Sequence, residues 1–119
     1  SGASWQEVNV ALQNIMGDYA GPLRNETTLE AGLSYLQRLK QKARAMLLAA
    51  NQHELMHCLE VINLTDLGEL IFFGALERRE TRDSHVRTDY PLTNPLLEKL
   101  LLIKQADGRT VTTWSELKR

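Results

Sequence analysis

The chain has 119 residues, 43% of them apolar and 24% charged, with 14 Lys/Arg against 15 Asp/Glu and a net charge of -1. That length suits one domain, the composition is that of a globular protein rather than a disordered segment, and the balanced charge offers no excess to neutralise a nucleic-acid backbone. One cysteine, Cys58, excludes an internal disulfide and a Cys-rich zinc module, and no apolar run approaches the roughly 18 residues that signal a membrane span.

Ser1-Gly2-Ala3 stands where Met would open a chain and is expected to be a tag remnant; neither a signal peptide nor a transit peptide follows it. Ser4 and Glu7 have capping-box spacing, in which each side chain bonds the other's free backbone N–H. Val8, Leu12, Ile15, Met16 and Tyr19 then recur at steps of three and four, predicting an amphipathic helix that Gly21-Pro22 ends. Thr27 and Glu30 repeat the capping spacing and open a second helix, with Leu29, Leu33, Leu36, Leu39, Ala43 and Met46 as its inner stripe. Arg38, Lys40, Lys42 and Arg44 fall mostly off that stripe; such a run fits a docking surface, but a solvated helix face is the simpler reading.

Asn51 with Glu54 marks a third start, and no proline interrupts the chain from Leu55 to about Thr81. Between Val61 and Leu76 the segment is apolar around much of its circumference, as expected of a central helix contacted from several sides. Gly68 and Gly74 each cost about 1 kcal/mol there relative to alanine, so close packing is the expected reason for them. After Asp89-Tyr90-Pro91 the period changes. Leu100 to Gln105 and Thr110 to Trp114 flank Ala106-Asp107-Gly108-Arg109, where Asp-Gly predicts a two-residue hairpin turn. A lone hairpin is marginal in water, so Leu101, Ile103, Val111 and Trp114 are expected to need a covering surface.

His53-Glu54-Leu55-Met56-His57 spells H-E-x-x-H, a pattern that on one helix sets two imidazoles around zinc with the glutamate as general base, and Glu77 follows at a third-ligand spacing. A zinc site would require the third helix to break near Thr65 to Gly68, because an unbroken helix puts Glu77 about 30 Å from His57. The residues are therefore read as part of a first helical turn, and Cys58, in apolar surroundings, as a buried inert thiol. No G-x-G-x-x-G, Walker loop or G-x-S-x-G occurs. The dense stretch Glu77 to Pro91 mixes both charge signs where a buried helix ends. It fits an anion site or an interlocked ion-pair corner, with structural pairing the favoured reading.

Ala75-Leu76-Glu77-Arg78-Arg79-Glu80-Thr81-Arg82-Asp83-Ser84-His85-Val86-Arg87-Thr88-Asp89-Tyr90-Pro91 resembles the A-L-x-R-x-E-S-R-G-x-H-x-R-x-D-Y-P signature of the fumarate reductase/succinate dehydrogenase flavoprotein family. Leu12-Gln13-Asn14-Ile15-Met16, Tyr19-Ala20-Gly21, Arg24-Asn25-Glu26 and the Asp107-Gly108 hairpin are similar to the same family's C-terminal region, so the resemblance runs from about residue 4 to 114. Aspartate oxidases share the domain and a related signature. Thr81 departs from the family's serine but keeps the hydroxyl; Asp83 replaces a glycine where positive φ is wanted, a conformation aspartate visits more easily than most residues.

The resemblance implies a C-terminal domain of an FAD-dependent oxidoreductase. FAD is held by an N-terminal Rossmann-like domain and the dicarboxylate by upstream histidines and arginines; hydride passes between flavin N5 and the dicarboxylate. It implies no catalytic, cofactor-binding or metal residue in this chain, and as partners the flavin domain of the same polypeptide and, in complexes, an iron–sulfur subunit. A cytoplasmic location, with membrane association only through partner subunits, is the matching expectation. Arg79, Glu80, Arg82, His85, Arg87, Asp89 and Tyr90 are the residues implied for inter-domain contact. The expected fold is mainly α: a three-helix up-down-up bundle over 4–91, ending in the charged 77–91 segment, then a hairpin and tail over 92–119. A stand-alone helical interaction module is the alternative. An exposed apolar patch on the hairpin or the end of the third helix favours the domain reading over it.

Overall fold

The computed structural model describes residues 4–49 and 51–116, so the expected tag remnant at 1–3 and the end of the tail lie outside the described residues. Helix α1 spans Trp5–Tyr19 and forms one half of the expected box at its start, Ser4 Oγ accepting from the Glu7 N–H at 3.3 Å. A two-residue strand β1 (Leu23–Arg24) leads into α2 (Glu26–Ala49). That helix is capped two residues before the expected Thr27, because Asn25 Oδ1 accepts from the Thr28 N–H at 2.9 Å and serves as the cap.

Asn51 Oδ1 accepts from the Glu54 N–H at 3.1 Å in the turn that precedes α3 (Leu55–Glu77). The helix runs unbroken through Thr65 to Gly68 and stops at Glu77 rather than near Thr81. Beyond it lie strand β2 (Val86–Arg87), a short 3-10 turn at Pro95–Leu97, and strands β3 (Lys99–Ala106) and β4 (Arg109–Glu116). Strands β1 and β2 pair in parallel, Leu23 with Val86 and Arg24 with Arg87, and tie the α1–α2 link to the segment after α3. A two-residue pairing so distant in sequence has no local signal.

The helices run up, down and up around a core of Val8 and Leu12 from α1, Leu29, Leu36, Leu39 and Ala43 from α2, and Val61, Ile62, Phe72 and Ala75 from α3. Gly68 sits where α1, α2 and α3 meet. A Cβ there would lie 3.1 Å from Met16 Sδ and 3.2 Å from Leu36 Cδ2, so the close packing expected of this glycine is present. Gly74 instead faces the hairpin, with Ile103 Cδ1 at 3.4 Å from such a Cβ. No helix among the described residues is long and apolar enough to cross a membrane.

The hairpin turns on Asp107 and Gly108, both at positive φ (51° and 74°), as a type I′ turn demands. Leu101 pairs with Trp114, Ile103 with Thr112 and Lys104 with Val111. Cross-strand partners share a face, so Leu101, Ile103 and Trp114 lie together. Val111 does not join them. It stands on the opposite face with Leu100 and Leu102, which correct the expected four-residue set and remain 52% and 50% exposed.

Candidate functional site

From Arg78 to Asn94 the chain folds back on the C-terminal end of α3 and buries charge. Glu80 is fully buried, and its carboxylate accepts from Arg78 Nη1, from Arg82 Nε at 3.2 Å and Nη2 at 3.1 Å, and from the Asn94 N–H at 3.0 Å. Burial alone would raise its pKa; the hydrogen bonds from Arg82, Asn94 and Arg78 outweigh that and hold it below the ordinary value. Arg78 also reaches the hairpin, donating to Leu97 O at 2.9 Å and Lys99 O at 2.8 Å with its Cζ 4.8 Å from the Trp114 ring centroid. One arginine thus fixes the hairpin to the bundle.

Arg87 is also fully buried. Its Nη1 donates to Ala75 O at 2.9 Å and Leu76 O at 3.1 Å, satisfying carbonyls that the end of α3 leaves free. Its Nε and Nη2 meet Asp89 Oδ1 and Oδ2 at 2.8 and 2.7 Å, a bidentate pair. Asp89 Oδ2 further accepts from the Glu26 N–H at 3.0 Å at the start of α2. The Arg87 bonds, reinforced by the Glu26 N–H, hold the Asp89 carboxyl down to about 2.

His85 completes the corner. Its Nδ1 lies 3.1 Å from Arg24 Nη1 and its Nε2 lies 2.9 Å from Arg78 O. An arginine only donates and a carbonyl only accepts, so the ring must be neutral with its proton on Nε2. Burial depresses its pKa, and the charges of Arg24, Arg87 and Arg78 add to that against the opposing bond to Arg78 O. Arg24 in turn donates to Gly21 O at 3.2 Å and Ala20 O at 3.3 Å, fastening the end of α1. The ends of all three helices therefore meet in one network of side chains.

The turn that aims His85 inward is Arg82 to His85, which exchange N–H···O bonds of 2.8 Å in both directions. Asp83 adopts φ 51°, the glycine-like conformation that the substituted position wants. Thr81 preserves the expected hydroxyl function: its Oγ1 accepts from the Arg87 N–H at 3.0 Å and lies 2.9 Å from Tyr90 O.

Of the seven residues implied for inter-domain contact, Glu80 and Arg87 are wholly internal, and neither presents any surface to an outside partner. Their lone-pair and donor demands are met within the bundle, which is why burial is tolerated. His85 points inward, Arg82 and Asp89 retain side-chain exposures of 25% and 29%, and Arg79 and Tyr90 are exposed. Arg24, Arg78 and Asn94 belong to the network and were not singled out as site residues by sequence reasoning. Arg24 is 61 residues from His85, a separation that no periodicity reveals.

The zinc-like motif does not assemble. His53 lies in the turn before α3, His57 stacks on Trp5 with centroids 4.4 Å apart, and Glu77 is at the far end of the same unbroken helix. Cys58 is buried within α3, as expected. The corner also does not fit the pyrophosphate of a dinucleotide, since Arg24, Arg78, Arg82 and Arg87 already donate to internal carbonyls or carboxylates. Its chemistry is that of a lock on three helix ends.

Residues 9–116 match the family model described as the fumarate reductase flavoprotein C-terminal region. The chain is 35% identical over 94 residues to the L-aspartate oxidase of Yersinia pestis, covering 77% of this chain and 16% of that protein. It is 28% identical over 93 residues to the succinate dehydrogenase flavoprotein subunit of Rickettsia conorii, covering 74% and 15%. Among solved structures, Mycobacterium smegmatis Sdh1 in complex with UQ1 superposes with a TM-score of 0.80 at 24% identity, over 99% of this chain and 21% of that one. The chain therefore spans about a fifth or less of the length of these proteins.

Proposed function

The chain belongs to the fumarate reductase flavoprotein C-terminal family, and from that premise we propose that it serves a larger FAD-dependent oxidoreductase by packing on the flavin domain and contributing no catalytic residue. The parent polypeptide exchanges hydride between its flavin and a dicarboxylate, with FAD and substrate both held outside these residues. The observation that carries this reading is the exposure of large apolar side chains on α3 and, separately, on the outer face of the hairpin. Leu64, Leu67, Leu70 and Ile71 of α3 are exposed by 38% to 54%, and Leu100 and Leu102 of the hairpin by about half. A helix apolar around its circumference suits burial on several sides, and exposed apolar side chains grouped on a domain mark an interface.

In this reading the corner supports the interface from behind. Glu80, His85, Arg87 and Asp89 fix the helix ends, while Arg79, Tyr90 and the accessible edge of Arg82 supply direct contacts. An iron–sulfur subunit is the next partner outward, and any membrane association comes through partner subunits. The test is made in the parent flavoprotein: Leu67→Glu together with Leu102→Glu should release flavin and expose the domain to proteolysis, with the 119-residue chain carrying the same changes still helical. Stoichiometric flavin bound by the 119-residue chain alone would overturn the reading.

A further inference from the structure

The basic run on α2 does not behave as one surface. Lys40 is engaged from α3, its Nζ lying 2.7 Å from Asp66 Oδ1 and 3.4 Å from Glu69 Oε1. Arg38 and Lys42, one turn apart, make no ion pair among the described residues. Both instead border an open cleft of about 380 Å³ between α1 and α2, lined besides by Ile15, Tyr19, Tyr35 and Leu39. Ile15 and Leu39 supply apolar lining. The Tyr19 and Tyr35 rings, 5.4 Å apart and tilted by 40°, form an aromatic wall, and Arg38 lies 5.4 Å over the Tyr35 ring.

We propose that this cleft docks an acidic peptide segment of a partner protein, with an aromatic or apolar side chain seated against Ile15, Leu39 and the tyrosines, and carboxylates on Arg38 and Lys42. Charge complementarity carries the choice of occupant, because two unpaired cations flank one apolar hollow. A stacked arginine is only weakly hydrated and keeps donors for a carboxylate. The site lies between α1 and α2, apart from the apolar surface of α3 and the hairpin, and does not depend on the flavoprotein reading.

The test is a titration of the 15N-labelled 119-residue chain with acetyl-EEFEE-amide, followed by amide shifts. Saturable shifts confined to the α1–α2 cleft are expected. Reversing both charges, Arg38→Glu with Lys42→Glu, should weaken binding about tenfold or more, as should replacing the peptide's glutamates by glutamine, from the modest worth of exposed ion pairs taken twice over. Arg44→Glu, on the same helix but outside the cleft, should change it by less than about twofold. These substitutions are at exposed positions, and matching circular dichroism spectra would show that the bundle is retained. Equal weakening by Arg44→Glu would show general attraction between charges and overturn the proposal. So would shifts that saturate elsewhere, or no saturation at millimolar peptide.

Discussion

Arg87 and Asp89 stand two residues apart and join the end of one helix to the start of another. The guanidinium takes the Ala75 and Leu76 carbonyls of α3, the carboxylate takes the Glu26 N–H of α2, and the two are bound to each other at 2.7 and 2.8 Å. Removing the cation leaves the Ala75 and Leu76 carbonyls without this donor, while the Asp89 carboxylate, 29% exposed, keeps the Glu26 N–H. Arg87→Met should therefore destabilise the domain by about 2–4 kcal/mol, as leaving two helix carbonyls without a donor does. Arg87→Lys should recover less than half of that, since an ammonium cannot span both helix carbonyls and a bidentate carboxylate. Urea unfolding of the three proteins gives the order.

The pH dependence of Asp89 has a definite sign. Its carboxyl titrates near 2 when folded and near 3.9 when unfolded, so its contribution is complete above the unfolded value and is lost as pH falls toward 2. Glu80, also held low, acts in the same direction. The gap in urea midpoint between the native chain and Asp89→Asn should narrow between pH 6 and pH 3.

His85 titrates at higher pH but with the same sign. Its folded pKa lies below the unfolded value near 6.5, so the folded state resists a proton that the unfolded chain accepts. The stability it supports is present above about pH 6.5 and declines as pH falls through the region below. His85→Gln keeps an acceptor and a donor while removing the titration, and should flatten the change in melting temperature between pH 7.5 and pH 5.5. Arg24→Ala removes a neighbouring positive charge and should raise the His85 pKa, read from its ring proton shifts by NMR.

Asp83 holds a glycine-like φ of 51° at the head of the turn that places His85. Asp83→Gly should be neutral to slightly stabilising, whereas Asp83→Val should cost about 1–2 kcal/mol because a β-branched residue is strained there. Thermal melts of both variants against the native chain decide this.

Much of the fold was legible because it is encoded within a few residues: the Ser4 cap, the Leu29, Leu36 and Ala43 stripe, and the Asp107-Gly108 turn. The face of Val111 was also encoded. A two-residue turn pairs Ala106 with Arg109, and counting outward sets Val111 opposite Lys104 rather than beside Trp114. What sequence could not supply was the set of long-range partners. α2 starts at Glu26 partly because Asp89 accepts its N–H, and α3 ends at Glu77 where Arg87 takes over its last carbonyls. The charged cluster announced an ion-pair corner, yet which arginine meets which acceptor depends on chain crossings such as Arg24 against His85.

These residues are proposed to be one domain of a larger flavoprotein. The most direct measurement is the size and visible absorbance of the native polypeptide that an antibody against the domain captures from source cells. A chain several times larger than 13.5 kDa that purifies with a flavin spectrum is expected. A native polypeptide of 13.5 kDa, or a larger one without flavin, would contradict it.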